Sequence, residues 1–135
     1  MTNETEKITI NLGVVDLAQI DVLSEQGIYS NRSDFIRMAI RKQLEAHKEQ
    51  VEQSLTPVAS KKQWEKVIGI WTIDKATLVD WGNEANNKLN ISVIGMLILG
   101  KDITPELFEA TVGKVVVRGK IVASDEIKTL IKKME

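Results

Sequence analysis

The sequence predicts an α+β chain in two parts, a strand-helix-helix module over residues 1–55 and a short βα-repeat, solenoid-like domain with a parallel sheet over residues 64–135, joined by a linker at 56–63. Three observations carry this. Lys7 to Leu12 alternate polar and apolar, the period of a half-buried strand. Two stretches of helical spacing follow, parted by Gly27. From Val67 onward a Val-x-Gly-x-apolar core recurs three times, each time followed by a helix start.

The totals exclude several classes. With 43% hydrophobic and 27% charged residues in 135, the chain has the composition of an ordinary globular protein. Its longest apolar run, Ile91 to Leu99, is interrupted by Ser92 and Gly95 and falls well short of the roughly 20 residues of a bilayer span. Met1 to Glu6 is polar and acidic, unlike a cleavable signal, and there is no cysteine, so a cytoplasmic location is expected. The net charge of -1 gives no bulk attraction to nucleic acid. Residues 1–50 hold 6 Lys or Arg against 8 Asp or Glu, or -2, so any DNA contact depends on local placement.

In the predicted strand Ile8, Ile10 and Leu12 point one way and Lys7, Thr9 and Asn11 the other. No second strand follows at hairpin distance, so the expected partner is the same strand of a second copy, antiparallel about a two-fold axis. The apolar faces then close over a shared core and the polar side chains form an outer row. Asp16 is expected to cap a first helix carrying Leu17, Ile20 and Leu23, with Val22 flanking, and Gly27 to stop it. Asn31 is expected to cap a second helix, with Asp34 completing a variant capping box. Its predicted buried stripe is Phe35, Ile36, Ala39, Ile40 and Leu44, and its helical propensity continues to Gln53, before Thr56-Pro57 breaks it.

Together, Ile8-Thr9-Ile10-Asn11-Leu12, Gly27, and the run from Asn31-Arg32-Ser33-Asp34 through Phe35-Ile36-Arg37-Met38-Ala39-Ile40 resemble the ribbon-helix-helix family of bacterial DNA-binding proteins over about the first 45 residues. The resemblance implies an intertwined homodimer whose two-stranded ribbon enters the major groove of double-stranded DNA. It assigns base contacts to Lys7, Thr9 and Asn11, whose side chains suit guanine acceptors, the thymine methyl and adenine. It assigns phosphate contacts to Asn31, Arg32 and Ser33 at a helix start, where capping is an equal claim on Arg32 and Ser33. Ile8, Ile10, Leu12, Phe35, Ile36 and Ile40 become the dimer core. Where many relatives are basic before the strand, this chain reads Asn3-Glu4-Thr5-Glu6, which repels phosphate and favours several dimers assembling on one DNA. Arg37, Arg41 and Lys42 share a helix with Glu45 and read as a solvated face, and the lone His47 makes no metal site.

In the second half, Val67-Ile68-Gly69-Ile70-Trp71, Val93-Ile94-Gly95-Met96-Leu97 and Val117-Arg118-Gly119-Lys120-Ile121 place their glycines 26 and 24 residues apart. Helix starts follow at Asp74, Thr104-Pro105-Glu106 and Ser124-Asp125-Glu126, predicting helices over Lys75 to Trp81, Leu107 to Val112 and Ile127 to Met134. Parallel strands joined by crossover helices fit that spacing, somewhat as in leucine-rich repeats but without their asparagine ladder. Open strand edges invite self-association into a higher oligomer. Trp64, Trp71 and Trp81 are expected in core and cap packing rather than an effector pocket. Asp74, Asp80, Asp102 and Asp125 fall at helix ends or faces, and no nucleophile, base and orienter recur together, so neither an enzyme nor a cofactor is expected. The function expected is sequence-specific DNA binding, most simply transcriptional repression. The rivals are a scaffold that keeps the module for dimerisation only, and an antitoxin.

Overall fold

A computed structural model of the single chain describes residues 5–55, 64–84 and 87–134. The chain divides into two compact units, the first ending at Val51 and the second beginning at Glu52. Thr56-Pro57 and the linker expected at 56–63 lie outside the described residues.

In the first unit, Lys7 to Leu12 form no ladder with any other of the described residues. Helix α1 (Val14–Glu25) starts from Gly13, whose carbonyl accepts the Leu17 N–H at 3.0 Å. Asp16 therefore does not cap this helix as expected. It sits in the first turn, where a carboxylate still favours the positive end of the helix dipole. At the other end Gly27 adopts φ 77°, Ile28 N–H donates to the Leu23 carbonyl and Gly27 N–H to that of Ser24. These two bonds close the helix in a Schellman motif, which needs a residue free to enter the left-handed region. Helix α2 (Arg32–Ala46) begins as expected: Asn31 Oδ1 accepts the Asp34 N–H at 2.8 Å, and Asp34 Oδ2 accepts the Ser30 N–H at 3.1 Å. The helix does not continue unbroken to Gln53. It ends at His47, and a separate α3 (Lys48–Gln53) follows. Of the expected buried stripe only Phe35 and Ile36 are half-buried, while Ala39, Ile40 and Leu44 are exposed.

The second unit alternates β1 (Glu65–Ile73), α4 (Lys75–Glu84), β2 (Leu89–Leu99), α5 (Pro105–Thr111), β3 (Val112–Val122) and α6 (Asp125–Met134). The strands form a parallel three-stranded sheet in the order β1-β2-β3, as the repeat predicts. Each helix is capped by the first residue of its expected start signal; α4 begins at Lys75 as expected and runs on to Glu84, whereas α5 and α6 begin two residues before the expected Leu107 and Ile127. Asp74 Oδ1 accepts the Thr77 N–H and hydroxyl, Thr104 Oγ1 accepts the Leu107 N–H, and Ser124 Oγ accepts the Ile127 N–H. The first carboxylate is held below the usual range by those Thr77 hydrogen bonds. Helix and strand bounds differ from the sequence reading mainly at α5, which passes into β3 at Val112 with no loop, so β3 is longer than Val115 to Val117.

One face of the sheet is covered by the helices. Ile73, Ile91, Val93, Leu97, Leu99 and Val115 pack there with Leu78, Phe108, Ile127 and Ile131. Trp71 and Trp81 pack against this core, as expected, and Trp81 Nε1 donates to the Asn87 carbonyl at 3.1 Å. The register tightens at Asn90, where β3 carries an extra residue and Asn90 Oδ1 accepts the Lys114 N–H that the ladder leaves over.

Gly69, Gly95 and Gly119 stand side by side in this register, with φ of 134°, 133° and 132°. All three lie in a region that side chains strongly disfavour. A Cβ at Gly95 would collide with the Gly69 carbonyl oxygen, and one at Gly119 with the Gly95 carbonyl oxygen, whereas a Cβ at Gly69 meets nothing within 4 Å. Gly95→Ala and Gly119→Ala should therefore destabilise this unit by about 3 kcal/mol or more, because backbone strain and overpacking add. Gly69→Ala should cost the conformational part alone, about 1–2 kcal/mol. Urea unfolding read by tryptophan fluorescence measures this, since every tryptophan lies in this half, and equal losses at the three positions would refute the close approach.

Candidate nucleic-acid interface

The residues expected to read DNA begin the first unit. Lys7, Thr9 and Asn11 are all exposed. So are their neighbours: Ile8 retains 77% of its surface, Ile10 58% and Leu12 38%. An alternating segment that shows both its faces to water has neither the ladder nor the apolar cover that a strand requires. The same deficit extends through the unit, in which Ile20 is the sole buried residue among those described. Val14, Val15, Val22, Ile28, Met38, Ile40 and Leu44 are exposed large apolar side chains. The unit also carries two open grooves, one lined by Ile20, Leu23 and Phe35, the other by Ala39, Ile40, Leu44 and His47. Tyr29 and Phe35 meet edge to face, with centroids 5.0 Å apart. A unit of this size cannot reach ordinary stability with so little buried.

At the start of α2 the three residues expected to hold phosphate have different surroundings. Asn31 is occupied as the cap. Arg32 is engaged across to α1: its Nε donates to Asp21 Oδ1 at 2.8 Å and its Nη2 to Asp21 Oδ2 at 2.9 Å. This forked pair ties the two helices together, and its eleven-residue separation gave no local signal in the sequence. The Arg32 hydrogen bond is the first cause that holds the Asp21 carboxyl below the usual range, and Asp21 in turn raises Arg32. A guanidinium has five N–H donors and this pair uses two, so about three remain for a further anion. Arg32 and Ser33 also occupy the first turn, whose N–H groups have no acceptor within the helix. Asp34 stands in the same turn and opposes an anion there.

A family model described as the Ribbon-Helix-Helix transcriptional regulator family matches residues 3–128. The match runs from the N-terminal segment through all three strands and into α6, well past the 45 residues in which the resemblance was read. No curated protein and no solved structure matches the chain.

The Arg32–Asp21 pair generates a pH dependence. A carboxyl whose pKa is lowered by folding stabilises the folded state above the unfolded pKa, about 3.9 for Asp, and loses that contribution as pH falls through the lowered value. Asp21→Asn should weaken the first unit near neutral pH and match the natural chain in strong acid. The effect should be modest and shrink in high salt, because Arg32 and Asp21 are 56% and 41% exposed. Thermal melts of both chains across that range check it, and curves that stay parallel into acid would count against the pair.

Proposed function

The chain belongs to the Ribbon-Helix-Helix transcriptional regulator family, and from that premise we propose that it is a homodimeric, sequence-specific DNA-binding repressor that inserts an antiparallel ribbon, one strand from each copy, into the major groove. The observation that carries this reading is the exposed Ile8, Ile10 and Leu12 beside a unit with almost no core. A second copy supplies both missing items at once, since its own Lys7 to Leu12 segment completes the ladder and its apolar side chains cover the grooves beside Phe35 and Ile40. Phe35, Ile36 and Ile40 then join the three strand residues in a shared core.

Lys7, Thr9 and Asn11 are left on the outer face of that ribbon, where they read base edges. Arg32, held by Asp21, and the N–H groups of Arg32 and Ser33 contact phosphate beside the groove, with Asn31 fixing the helix start. The second unit assembles dimers on adjacent sites. Such tethering raises avidity without new DNA contacts and offsets the repulsion from Glu6. A scaffold that only dimerises is the competing reading, favoured by the engagement of Arg32 with Asp21.

Two measurements separate these readings. Replacing Lys7, Thr9 and Asn11 together with Ala should leave the folded dimer intact and abolish protection of the operator from nuclease. Ile10→Asp should unfold the dimer by burying an unpaired charge. In gel shifts over a range of salt, Arg32→Ala should reduce the slope of log affinity by about one unit. An unchanged slope makes Arg32 a helix clamp alone, and a triple variant that still protects the operator refutes the reading face.

A further inference from the structure

The two edges of the parallel sheet are not alike, and the glycine column shows how they differ. The missing Cβ of Gly95 points at the Gly69 carbonyl, and that of Gly119 at the Gly95 carbonyl. Each glycine thus turns its Cα toward the preceding strand, and each carbonyl is turned toward the following one. Gly69 keeps the same backbone conformation, with open space where a preceding carbonyl would lie. At the opposite edge no strand follows β3 to receive the carbonyl side of Gly119.

We propose that β3 of one copy pairs with β1 of the next, parallel and in the register already set inside the unit, with Gly119 seated on Gly69. This deepens the assembly role given above to the second unit and rests on it. Unlike edges fit because a carbonyl meets a bare Cα. Two β1 edges would bring bare Cα positions together, and two β3 edges would oppose carbonyls. The contact is head-to-tail, so it is not self-limiting as a two-fold contact is: copies add until their rotation closes a ring, or continue as an open filament.

Burial across the sheet supports the same junction. On the helix-covered face the central Val93 and Leu97 are 1% and 0% exposed, whereas Val67 and Trp71 on β1, and Val117 and Ile121 on β3, are only partly buried. The continued register places Val117 beside Val67 and Ile121 beside Trp71, repeating the core at the new junction. On the opposite face it places Arg118 beside Ile68 and Lys120 beside Ile70. Those isoleucines are 51% and 48% exposed, and the aliphatic stems of the basic side chains can lie over them. Val116 falls directly opposite Lys66, so no two like charges stand directly opposite one another, while Lys114 and Arg118 flank Lys66 on the diagonals.

Sedimentation velocity of the full chain over a range of concentrations tests this. The natural chain should grow past the dimer as concentration rises. Gly69→Ala puts a methyl where the incoming carbonyl sits and should stop growth at the dimer with its circular dichroism unchanged. Val116→Lys should weaken dimer-to-dimer association about fivefold through repulsion by Lys66, Val116→Glu should strengthen it, and Lys66→Glu with Val116→Lys should restore it. These charge variants decide the matter should Gly69→Ala fail to fold. Growth that survives in a folded Gly69→Ala chain, or that ignores the sign of charge at position 116, overturns the junction while leaving an assembly role by another surface. A natural chain that stays dimeric at every concentration overturns both.

Discussion

Every backbone N–H and C=O removed from water needs a partner, and the two halves of this chain meet that demand in opposite ways. In the second half the three strands satisfy one another in parallel, which obliges the chain to cross back through a helix between each pair. The crossover helices then supply the apolar cover for one sheet face, so ladder and core form together. In the first half the helices satisfy their own ladders and are well terminated at Gly27 and Asn31, but the segment before them has no ladder partner among the described residues. Its hydrogen bonds and its apolar side chains lack a partner at the same place. One association can therefore satisfy both.

Much of this was legible because it rests on local periodicity. The Val-x-Gly-x-apolar repeat gave the strands, and its glycines fall in exact lateral register, since a shared backbone conformation is reproduced most easily between strands that adopt it at the same level. The caps at Asn31, Asp74, Thr104 and Ser124 were legible because a side-chain acceptor must stand three residues before the N–H that it receives. What was illegible depends on distance in sequence. Asp21 and Arg32 are joined by the angle between two helices, which no spacing rule encodes. Asp16 was misread because Gly13, with no side chain to offer, begins α1 through its carbonyl alone. The break at His47 was missed because Glu45 to Gln53 has good helical propensity throughout, and propensity is a weak guide to where a helix ends.

The electrostatics of the first unit show why bulk charge is a poor guide to how it meets an anion. Two of its eight acids are committed and a third stands at a helix start: Asp34 reaches back to the Ser30 N–H, Asp21 holds Arg32, and Asp16 lies in the first turn of α1. An acid engaged in this way repels an approaching phosphate less than its formal charge suggests, since a bound donor already compensates part of its field. Asp21 also has a constructive effect. By fixing two of the Arg32 donors it lowers the entropy that the guanidinium would lose on engaging an anion.

A family match that spans both halves bears on how they act together. If the repeats were a casual attachment, the family pattern would end near residue 45; instead it continues through β3. The sheet has a requirement that DNA binding does not explain, because readout by a ribbon needs neither parallel strands nor a column of glycines in a strained conformation. Strain of that kind persists only where the surroundings determine it. Inside the unit the close approach of successive strands does so at Gly95 and Gly119. At Gly69 no neighbour among the described residues supplies that reason, yet the conformation is the same. The edge is thus built to the pattern of an interior junction, and the physical demand that shapes it is the approach of another strand.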